Sequence, residues 1–270
     1  YGNTLKGGIG VVSDGTKTFL TPRKGGDEPY LMAKRLKGVP VVVGADRYSA
    51  GLAAIRRFDP HCIILDDGFQ HLRLKRDLNI LLIDSSRGFG NGHLLPRGIL
   101  REPIDGAGRA DLVMMKGNGE EEIAPVSDLP TVSFWYRPSG LISLEGEREE
   151  VSLLQGKRVI AVAAIANPSS FVKTLEECGA EVLSTLFYPD HHWYGREDIG
   201  RIREEANCFK GRAEMIVTTE KDMVRLGGMA AMKRVGLETY ALPVEVVMDE
   251  MRPLEELLAP LVTEVAGEVI

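Results

Sequence analysis

The 270-residue chain has the composition of a globular protein that can bury a full core, with 44% hydrophobic and 27% charged residues. Its formal net charge of −6 argues against broad nucleic-acid binding, which is typical of chains with a basic excess. No apolar run approaches the roughly 18 residues of a membrane-spanning helix. Cys62, Cys178 and Cys208 lack metal-ligand spacing and are predicted to be reduced core residues.

The first segment of the chain predicts a hairpin rather than a phosphate-binding loop. Asp14-Gly15 lies between two β-rich arms, which is a strong hairpin signal. Gly10 and Gly15 have the spacing of a phosphate loop, but Thr16 separates Gly15 from Lys17, where Gly and Lys should be contiguous. The segment is therefore not counted as a phosphate-binding loop.

The Gly-Gly-Asp-Glu-Pro stretch at residues 25–29 predicts the start of a helix. Asp27 suits the N-cap position and Pro29 the first turn of that helix. The apolar face of the helix is expected to consist of Leu31, Met32 and Leu36. A capping role alone would explain why an aspartate is found at position 27, with no need for a catalytic role.

A β-α-β order follows. Residues 39–44 predict a buried strand, residues 50–58 a short helix, and residues 62–65 a second strand that is buried on both faces. Residues 46–48 are assigned to the loop before the helix. This order predicts a parallel sheet with a right-handed crossover.

Two adjacent carboxylates, Asp66 and Asp67, directly follow the apolar run 62–65. Ligands bind at the carboxyl ends of strands in open α/β sheets, so these residues resemble a Walker-B edge that holds Mg²⁺ against nucleotide phosphates. Strands also often end in a polar turn that has no function. Gln70 and His71 favour the metal hypothesis, because a turn does not require four ligand-capable side chains within six residues.

A long loop separates two further predicted strands, residues 78–83 and 112–115. The loop, residues 88–103, is rich in Gly, Arg and Pro, and loops of that length in compact domains are usually functional or disordered. A solvated charge cluster is the alternative. Its candidates for anion and metal contacts are Arg97, Arg101 and Glu102.

The second half of the chain predicts another α/β domain. Short alternating strands at 131–156 indicate a two-stranded linker between a first domain at 1–130 and a second at 157–270. Strands and helices alternate from Lys157 onward, and ETYALPVEVV (238–247) is expected to be one strand. The predicted fold class is α/β, with a mostly parallel sheet domain and a second smaller α/β domain.

The loop at residues 188–194 contains paired histidines beside an aspartate and aromatic residues. Such a group could be a catalytic base with its orienting partner. It could equally be a packed, hydrogen-bonded loop with a structural role.

Eight segments in collinear order resemble the tetraacyldisaccharide 4′-kinase family over nearly the whole chain. DDGFQH followed by LREP is the most specific pair among them. The segments are GDEP (26–29), DR (46–47), LDDGFQH (65–71), RDLNILLID (76–84), LLPRGILREP (94–103), ADLVMMK (110–116), YPDHH (188–192) and TTEKD (218–222).

This resemblance implies a fold and an activity. The family is similar to P-loop NTPases, with a nucleotide-binding domain, a β-stranded linker and a smaller α/β domain. Enzymes of the family transfer the γ-phosphate of ATP to the 4′-hydroxyl of a tetraacylated disaccharide 1-phosphate, a lipid A precursor. The resemblance implies a peripheral protein at the cytoplasmic face of the inner membrane of Gram-negative bacteria.

The resemblance also implies roles for individual residues. Asp66 and Asp67 are expected to hold Mg²⁺, with Glu28 and Glu102 as further metal ligands. Asp27 and His191 resemble the dyad that takes the proton from the 4′-hydroxyl. The residues expected to bind the nucleotide are Arg47, Gln70, His71 and Arg101.

One departure from the family pattern concerns the phosphate loop. In the family a Gly-rich loop with Lys and Ser/Thr precedes the GDEP segment, and the membrane contact lies near the N-terminus. We expect a chain that starts at Tyr1 to lack that loop, and residues 1–270 alone to bind ATP·Mg weakly and to be inactive.

Two alternatives of other classes remain open at this point. One is a catalytically silent α/β module that binds a glycolipid or a partner through the acidic edge. The other is a P-loop kinase, or an amide-forming ligase, that acts on a small soluble metabolite. A phosphate-loop motif upstream would favour a kinase over the silent module.

Overall fold

The computed structural model describes residues 8–117, 126–226 and 229–267. Two compact units share the chain, and each is built from two separate stretches. The first unit takes the residues up to Phe58 and Pro138–Glu245, and the second takes Asp59–Arg137 and the residues from Val246 onward. The predicted boundaries at residues 130 and 156 instead assign each domain a single continuous stretch.

The strands are short, and α-helices alternate with them from β8 to β11. They are β1 (Gly10–Asp14), β2 (Pro40–Val43), β3 (Ile80–Asp84), β4 (Leu112–Lys116), β5 (Thr131–Pro138), β6 (Leu141–Ser143), β7 (Arg148–Glu149), β8 (Arg158–Ala163), β9 (Glu181–Phe187), β10 (Met215–Thr219), β11 (Glu238–Leu242) and β12 (Val244–Met248).

The helices are α1 (Pro22–Gly25), α2 (Asp27–Arg35), α3 (Arg47–Phe58), α4 (Pro168–Glu177), α5 (Arg196–Cys208), α6 (Glu220–Arg225), α7 (Met229–Met232) and α8 (Arg252–Gly267). Short 3₁₀ helices span Ile104–Arg109, Val151–Leu154 and Lys233–Val235. Within the three described ranges, no helix is both long and apolar enough to cross a membrane.

The core of the first unit is a six-stranded sheet with the order β7-β6-β11-β10-β8-β9. Strands β8 to β11 are parallel, and helices alternate with them, in agreement with the α/β domain predicted from Lys157 onward. Successive side chains of a strand point to opposite faces, so Val159 and Ala161 pack with Leu175 of α4, while Ile160 packs with Ile202 of α5. Both faces are therefore covered, which explains why β8 is apolar along its length.

The predicted single strand at 238–247 is wrong, because Pro243 divides it into β11 and β12. Proline has no N–H to donate to a sheet ladder, so the pairing stops there. Strand β11 lies in the six-stranded sheet, whereas β12 lies beside β5 in a separate four-stranded sheet.

The second unit contains that four-stranded sheet, in the order β12-β5-β4-β3. Strands β3, β4 and β5 are parallel. Leu112 and Val113 of β4 are fully buried, as an interior strand requires. The strand predicted at 78–83 is present as β3, which is at the edge of the sheet in the described residues, and its Leu82 is 62% exposed.

The predicted buried strand at residues 62–65 is wrong. This run has no strand assignment, and the Ile64 side chain is 90% exposed. An apolar run becomes a strand only where a neighbouring strand completes its hydrogen bonds, and no strand in the described part of the chain pairs with it. Cys62 and Cys208 are exposed free thiols rather than core residues, and Cys178 is half-buried.

The predicted β-α-β crossover at residues 39–65 is wrong for the same reason. Strand β2 pairs antiparallel with β1 instead.

The turn after Asp14 is confirmed, because the Asp14 carboxylate accepts hydrogen bonds from the Thr16 and Lys17 N–H groups at 2.9 and 2.7 Å. Gly15 has φ +93° there, and a Cβ atom would lie 2.7 Å from the Gly38 carbonyl carbon.

Helix α3 begins earlier than predicted. Arg47 and Tyr48, expected in a loop, form its first turn. Asp46 precedes them, and its carboxylate accepts a hydrogen bond from the Tyr48 N–H at 3.2 Å, in the manner of an N-cap.

The edge position of β3 makes a testable prediction about the second unit. Leu112→Ala should lower its free energy of unfolding by about 2–5 kcal/mol, because it opens a cavity in a closed core. Leu82→Ala is the matched control and should cost clearly less, because its side chain is already mostly in water. Urea unfolding followed by fluorescence measures both values, and equal losses would contradict the exposed edge.

Candidate functional site

The start of helix α2 places Asp27 inside the first unit. The N-cap residue is Gly26, at φ +96°, where a Cβ atom would also lie 3.1 Å from Pro29 Cδ. Asp27 is therefore the first residue of the helix, and the prediction that it is the N-cap is wrong. Its side chain is 7% exposed and faces Arg225. Burial of a carboxylate requires such a cationic partner.

Helix α6 supplies that partner. Arg225 is completely buried, and its Nε donates a hydrogen bond of 2.5 Å to Asp27 Oδ2. Its Nη1 donates to the Ala164 carbonyl oxygen at 3.0 Å and lies 3.5 Å from Asp222 Oδ1. Two carboxylates and a backbone carbonyl thus compensate one buried guanidinium.

Asp222 is also completely buried and holds α6 in place. It accepts hydrogen bonds from the Ala164 N–H at 3.0 Å and from the Thr219 hydroxyl at 2.6 Å. Thr219 in turn caps α6 by accepting from the Asp222 N–H. The end of β8 and the start of α6 are therefore joined through one carboxylate.

The loop at residues 188–195 brings His191 to the same place. Arg225 Nη2 lies 3.1 Å from His191 Nδ1, and Asp27 Oδ2 lies 3.8 Å from that nitrogen. His191 has φ +60°, a left-handed conformation that a non-glycine residue rarely adopts. Asp27, His191, Asp222 and Arg225 are called the arginine cluster below.

The neighbouring His192 has the structural role that was one of the two alternatives for this loop. Its Nε2 lies 2.9 Å from Asp198 Oδ2, and its ring stacks on Tyr188 at 4.9 Å between centroids. Asp198 also accepts from the Gly195 N–H at 2.7 Å. These contacts anchor the loop that presents His191.

Two other predicted residues of the first unit have local partners. Glu28 forms an ion pair with Lys221 of α6. Arg47 donates a hydrogen bond to the Gly44 carbonyl oxygen and so closes the turn before α3.

In the second unit, Asp67 and Arg101 form an ion pair on the surface. Arg101 Nη1 donates to both carboxylate oxygens of Asp67, at 3.0 and 2.9 Å, and the two side chains are 64% and 60% exposed. Asp67 has φ +51°, and Asp66 beside it is exposed. Exposed ion pairs add only about 0–1 kcal/mol to stability, so a ligand can replace either partner at small cost.

Glu102 and Gln70 lie together beside this pair. Gln70 Nε2 donates to Glu102 Oε1 at 3.1 Å, and Arg109 Nη2 donates to Glu102 Oε2 at 2.7 Å. Arg109 also lies over the Phe69 ring, 4.8 Å from its centroid. A concave pocket is bordered by Asp67, Gln70, Arg101 and Glu102, with Phe69 and Ile99 among its apolar walls.

His71 is predicted to contact the nucleotide, and within the described residues its side chain has no hydrogen bond or ion pair. Its backbone has a structural role instead, because Arg76 Nη1 donates to the His71 carbonyl at 2.8 Å and to the Gly68 carbonyl at 3.2 Å. Arg76 thus holds the turn that carries Asp66 and Asp67.

The carboxylates can be tested for their fit to Mg²⁺. Among the residues that the structure describes, no three His, Cys, Asp or Glu side chains are grouped as a metal site. Mg²⁺ commonly uses only one or two protein carboxylates, together with water and phosphate oxygens. Asp66 and Asp67 are exposed and fit that pattern. Asp67, Glu28 and Glu102 each pair with a cation in this structure, namely Arg101, Lys221 and Arg109, so a metal would replace those partners.

The comparison with known proteins decides the family. The model of the tetraacyldisaccharide-1-P 4′-kinase family matches residues 1–263. The chain belongs to this family. The tetraacyldisaccharide 4′-kinase of Syntrophus aciditrophicus is 41% identical over 276 aligned positions, which cover 96% of this chain and 72% of that protein. The Geobacter metallireducens enzyme is also 41% identical, over 94% of this chain and 75% of its own length.

A solved structure of the family confirms the α/β fold class. The crystal structure of LpxK from Aquifex aeolicus in complex with ATP has a TM-score of 0.76 and 31% sequence identity. The match covers 97% of this chain and 76% of that chain. The expectation that residues 1–270 alone are inactive stays a prediction.

The kinase-family motifs located most of the candidate residues but not their partners. The structure joins Asp27 to His191 through Arg225, and Asp67 to Arg101 directly. Sequence analysis assigned no role to Arg225, although Asp222 and Arg225 are three residues apart, a spacing that brings side chains together on a helix. It likewise missed Arg109 as the partner of Glu102.

The electrostatics of Asp27 follow from its partner. Burial by itself raises the pKa of the Asp27 carboxyl group, because it disfavours the charged form. The hydrogen bond and the positive charge of Arg225 outweigh burial, so the net pKa lies below the ordinary value of 3.8.

This shift predicts a pH dependence of stability. A carboxyl group with a depressed pKa stabilises the folded state above its unfolded pKa, and that contribution is lost as pH falls through the folded pKa. Asp27→Asn should therefore be less stable than wild type at about pH 6, with the difference narrowing below about pH 4. Urea titrations at several pH values measure it, and a constant difference would contradict the ionised Asp27.

Proposed function

We propose that the protein transfers the γ-phosphate of ATP to the 4′-hydroxyl of a tetraacyldisaccharide 1-phosphate in lipid A biosynthesis. The observation that supports this most strongly is the family match over residues 1–263. The relatives named above are tetraacyldisaccharide 4′-kinases, and the Aquifex aeolicus protein was crystallised with ATP. These relatives favour a glycolipid acceptor over a small soluble metabolite.

The exposed residues around the Asp67–Arg101 ion pair of the second unit are proposed to bind the phosphates of the nucleotide. Asp66 and Asp67 would hold Mg²⁺, which supplies neutralisation of phosphate charge when bound. Arg101 has an exposed guanidinium whose present partner is one carboxylate, so it can turn to a phosphate oxygen. Gln70 and His71 are further proposed nucleotide contacts of this unit, and Glu102 is a further proposed metal ligand.

In the first unit, Arg47 is a proposed nucleotide contact and Glu28 a proposed metal ligand.

The arginine cluster is proposed to act on the acceptor hydroxyl. Asp27 and His191 are the groups there that can accept or donate a proton, and they lie 3.8 Å apart. The His191 side chain is 48% exposed, so one edge of the imidazole is open to a substrate. Phosphoryl transfer requires positioning and charge stabilisation more than covalent chemistry from the protein, and this arrangement meets that requirement.

The acceptor also suggests where the protein acts. A tetraacylated disaccharide resides in a lipid bilayer, so we propose a peripheral protein at the cytoplasmic face of the inner membrane of a Gram-negative bacterium. The proposed membrane contact is a segment near the N-terminus of the complete protein.

The function predicts the effect of removing Asp67. In the complete protein, Asp67→Ala should lower phosphoryl transfer on the order of a hundredfold or more at saturating Mg²⁺. The fold should survive, because the Asp67 side chain is 64% exposed and its ion pair adds little stability. The assay follows ³²P transfer from ATP to the tetraacyldisaccharide 1-phosphate.

Asp128→Ala is the matched control, since Asp128 is an exposed carboxylate of the same unit outside the family motifs. It should leave transfer unchanged. Wild-type protein that does not phosphorylate the disaccharide would contradict the proposed function. Near-normal transfer by Asp67→Ala would contradict only the metal assignment.

A further inference from the structure

His191 Nδ1 lies near both Arg225 and Asp27, and the two contacts require different protonation of that nitrogen. Arg225 Nη2, 3.1 Å from Nδ1, carries only N–H donors, so this contact requires a lone pair on Nδ1. A direct hydrogen bond to Asp27 would require an N–H on the same Nδ1, and Asp27 Oδ2 is 3.8 Å away. The distances favour the arginine.

We propose that Arg225 is a positioning residue that fixes His191 as the neutral tautomer with its proton on Nε2, and so sets the geometry of the Asp27–His191 pair. In this tautomer His191 can only donate a hydrogen bond from Nε2, so the Asp27 carboxylate is the member of the pair that accepts the hydroxyl proton. The kinetic part of this inference rests on the proposed function. The tautomer itself does not, because it follows from contacts present without substrate.

The guanidinium is suited to this role because its position does not depend on His191. Nη1 is held by the Ala164 carbonyl and by Asp222, and Nε is held by Asp27. Nη2 carries two N–H groups and contacts both Asp27 Oδ2 and His191 Nδ1 from a completely buried site. The half-exposed imidazole adjusts to the arginine, rather than the arginine to the imidazole.

The groups around Arg225 support a permanent charge there. Asp27 and Asp222 both contact the guanidinium, and Asp27 has a lowered pKa because Arg225 outweighs its burial. The buried Tyr194 has a pKa raised by burial and by Asp222. On the other side of the imidazole, Asp190 Oδ2 lies 3.8 Å from His191 Nε2, so a carboxylate faces the nitrogen on which the proposal places the proton.

Lysine cannot reproduce this arrangement. Its single ammonium can pair with Asp27, but it has no rigid second arm that reaches His191 while Asp27 and Ala164 are also held. Arg225→Lys therefore keeps a positive charge in the cluster and removes the directed contact with Nδ1.

The direct test is ¹⁵N NMR of the complete protein labelled at its histidines, of which this chain has five. The His191 signals are assigned by their loss in His191→Gln. In wild type without substrate, we expect a protonated Nε2 and an unprotonated Nδ1. In Arg225→Lys, we expect that preference to be lost.

Kinetics provide the second readout. Arg225→Lys should lower kcat by roughly tenfold to a hundredfold, with KM for ATP and disaccharide changed by less than about twofold, because positioning rather than binding is lost. Arg35→Lys is the matched control. Arg35 also joins α2 to α6, through Glu220, but its hydrogen bonds in the described part of the chain go to Glu220 and Val244 and not to His191. Its replacement should change neither readout.

A wild-type His191 with its proton on Nδ1 would overturn the proposal, whether or not Arg225→Lys folds. So would Arg225→Lys that keeps both the tautomer and kcat and loses only thermal stability, because Arg225 would then be purely structural. Absence of phosphoryl transfer in wild type would instead overturn the proposed function, and the NMR signals would still decide the tautomer.

Discussion

The arrangement of the first unit depends on the groups that neutralise the buried positive charge of Arg225. Arg225 has no exposed surface, and a guanidinium cannot lose its water without receiving charge and hydrogen bonds from the protein. Those partners come from α2, from the end of β8 and from α6 itself. The need to neutralise Arg225 therefore fixes Asp27 relative to the sheet, and the same guanidinium orients His191. Stability and site geometry have a common origin here.

The second unit uses its charges differently. Asp67 and Arg101 are mostly in water, so their ion pair adds little stability and is easily exchanged. Glu102 is more enclosed, between Gln70 and Arg109. Exposed charges can bind and release a ligand, whereas buried charges hold a geometry. The two groups of candidate residues are thus suited to ligand exchange in one unit and to fixed orientation in the other.

Apolar patterns predicted the strands that have partners on both sides. The runs at β4, β8 and β10 were predicted because interior strands of a parallel sheet must be apolar on both faces. The run 62–65 has the same pattern but no pairing strand in the described residues, and a local pattern contains no information about pairing. The break between β11 and β12, by contrast, has a signal in the sequence, because Pro243 has no N–H to donate to a sheet.

Part of the spatial grouping could be expected from the sequence. The family motifs contain Asp27, His191, Asp67 and Arg101, and the structure places Asp27 near His191 and Asp67 beside Arg101, while their chemical roles stay predictions. Arg225 could not be connected to Asp27 from the sequence, since 198 positions separate them. Local reasoning assigned Asp27 to a cap, as it would for any aspartate before a helical segment. A buried ion pair between distant segments becomes visible only in the folded chain.

The most direct test of this account is a double-mutant cycle between Asp27 and Arg225. The free energy of unfolding of the first unit would be measured for wild type, Asp27→Asn, Arg225→Gln and the double variant. We predict a coupling energy of roughly 1–3 kcal/mol, because each single change leaves the other group buried without its partner. Losses that add to within about 0.5 kcal/mol would contradict the claim that this ion pair organises the first unit.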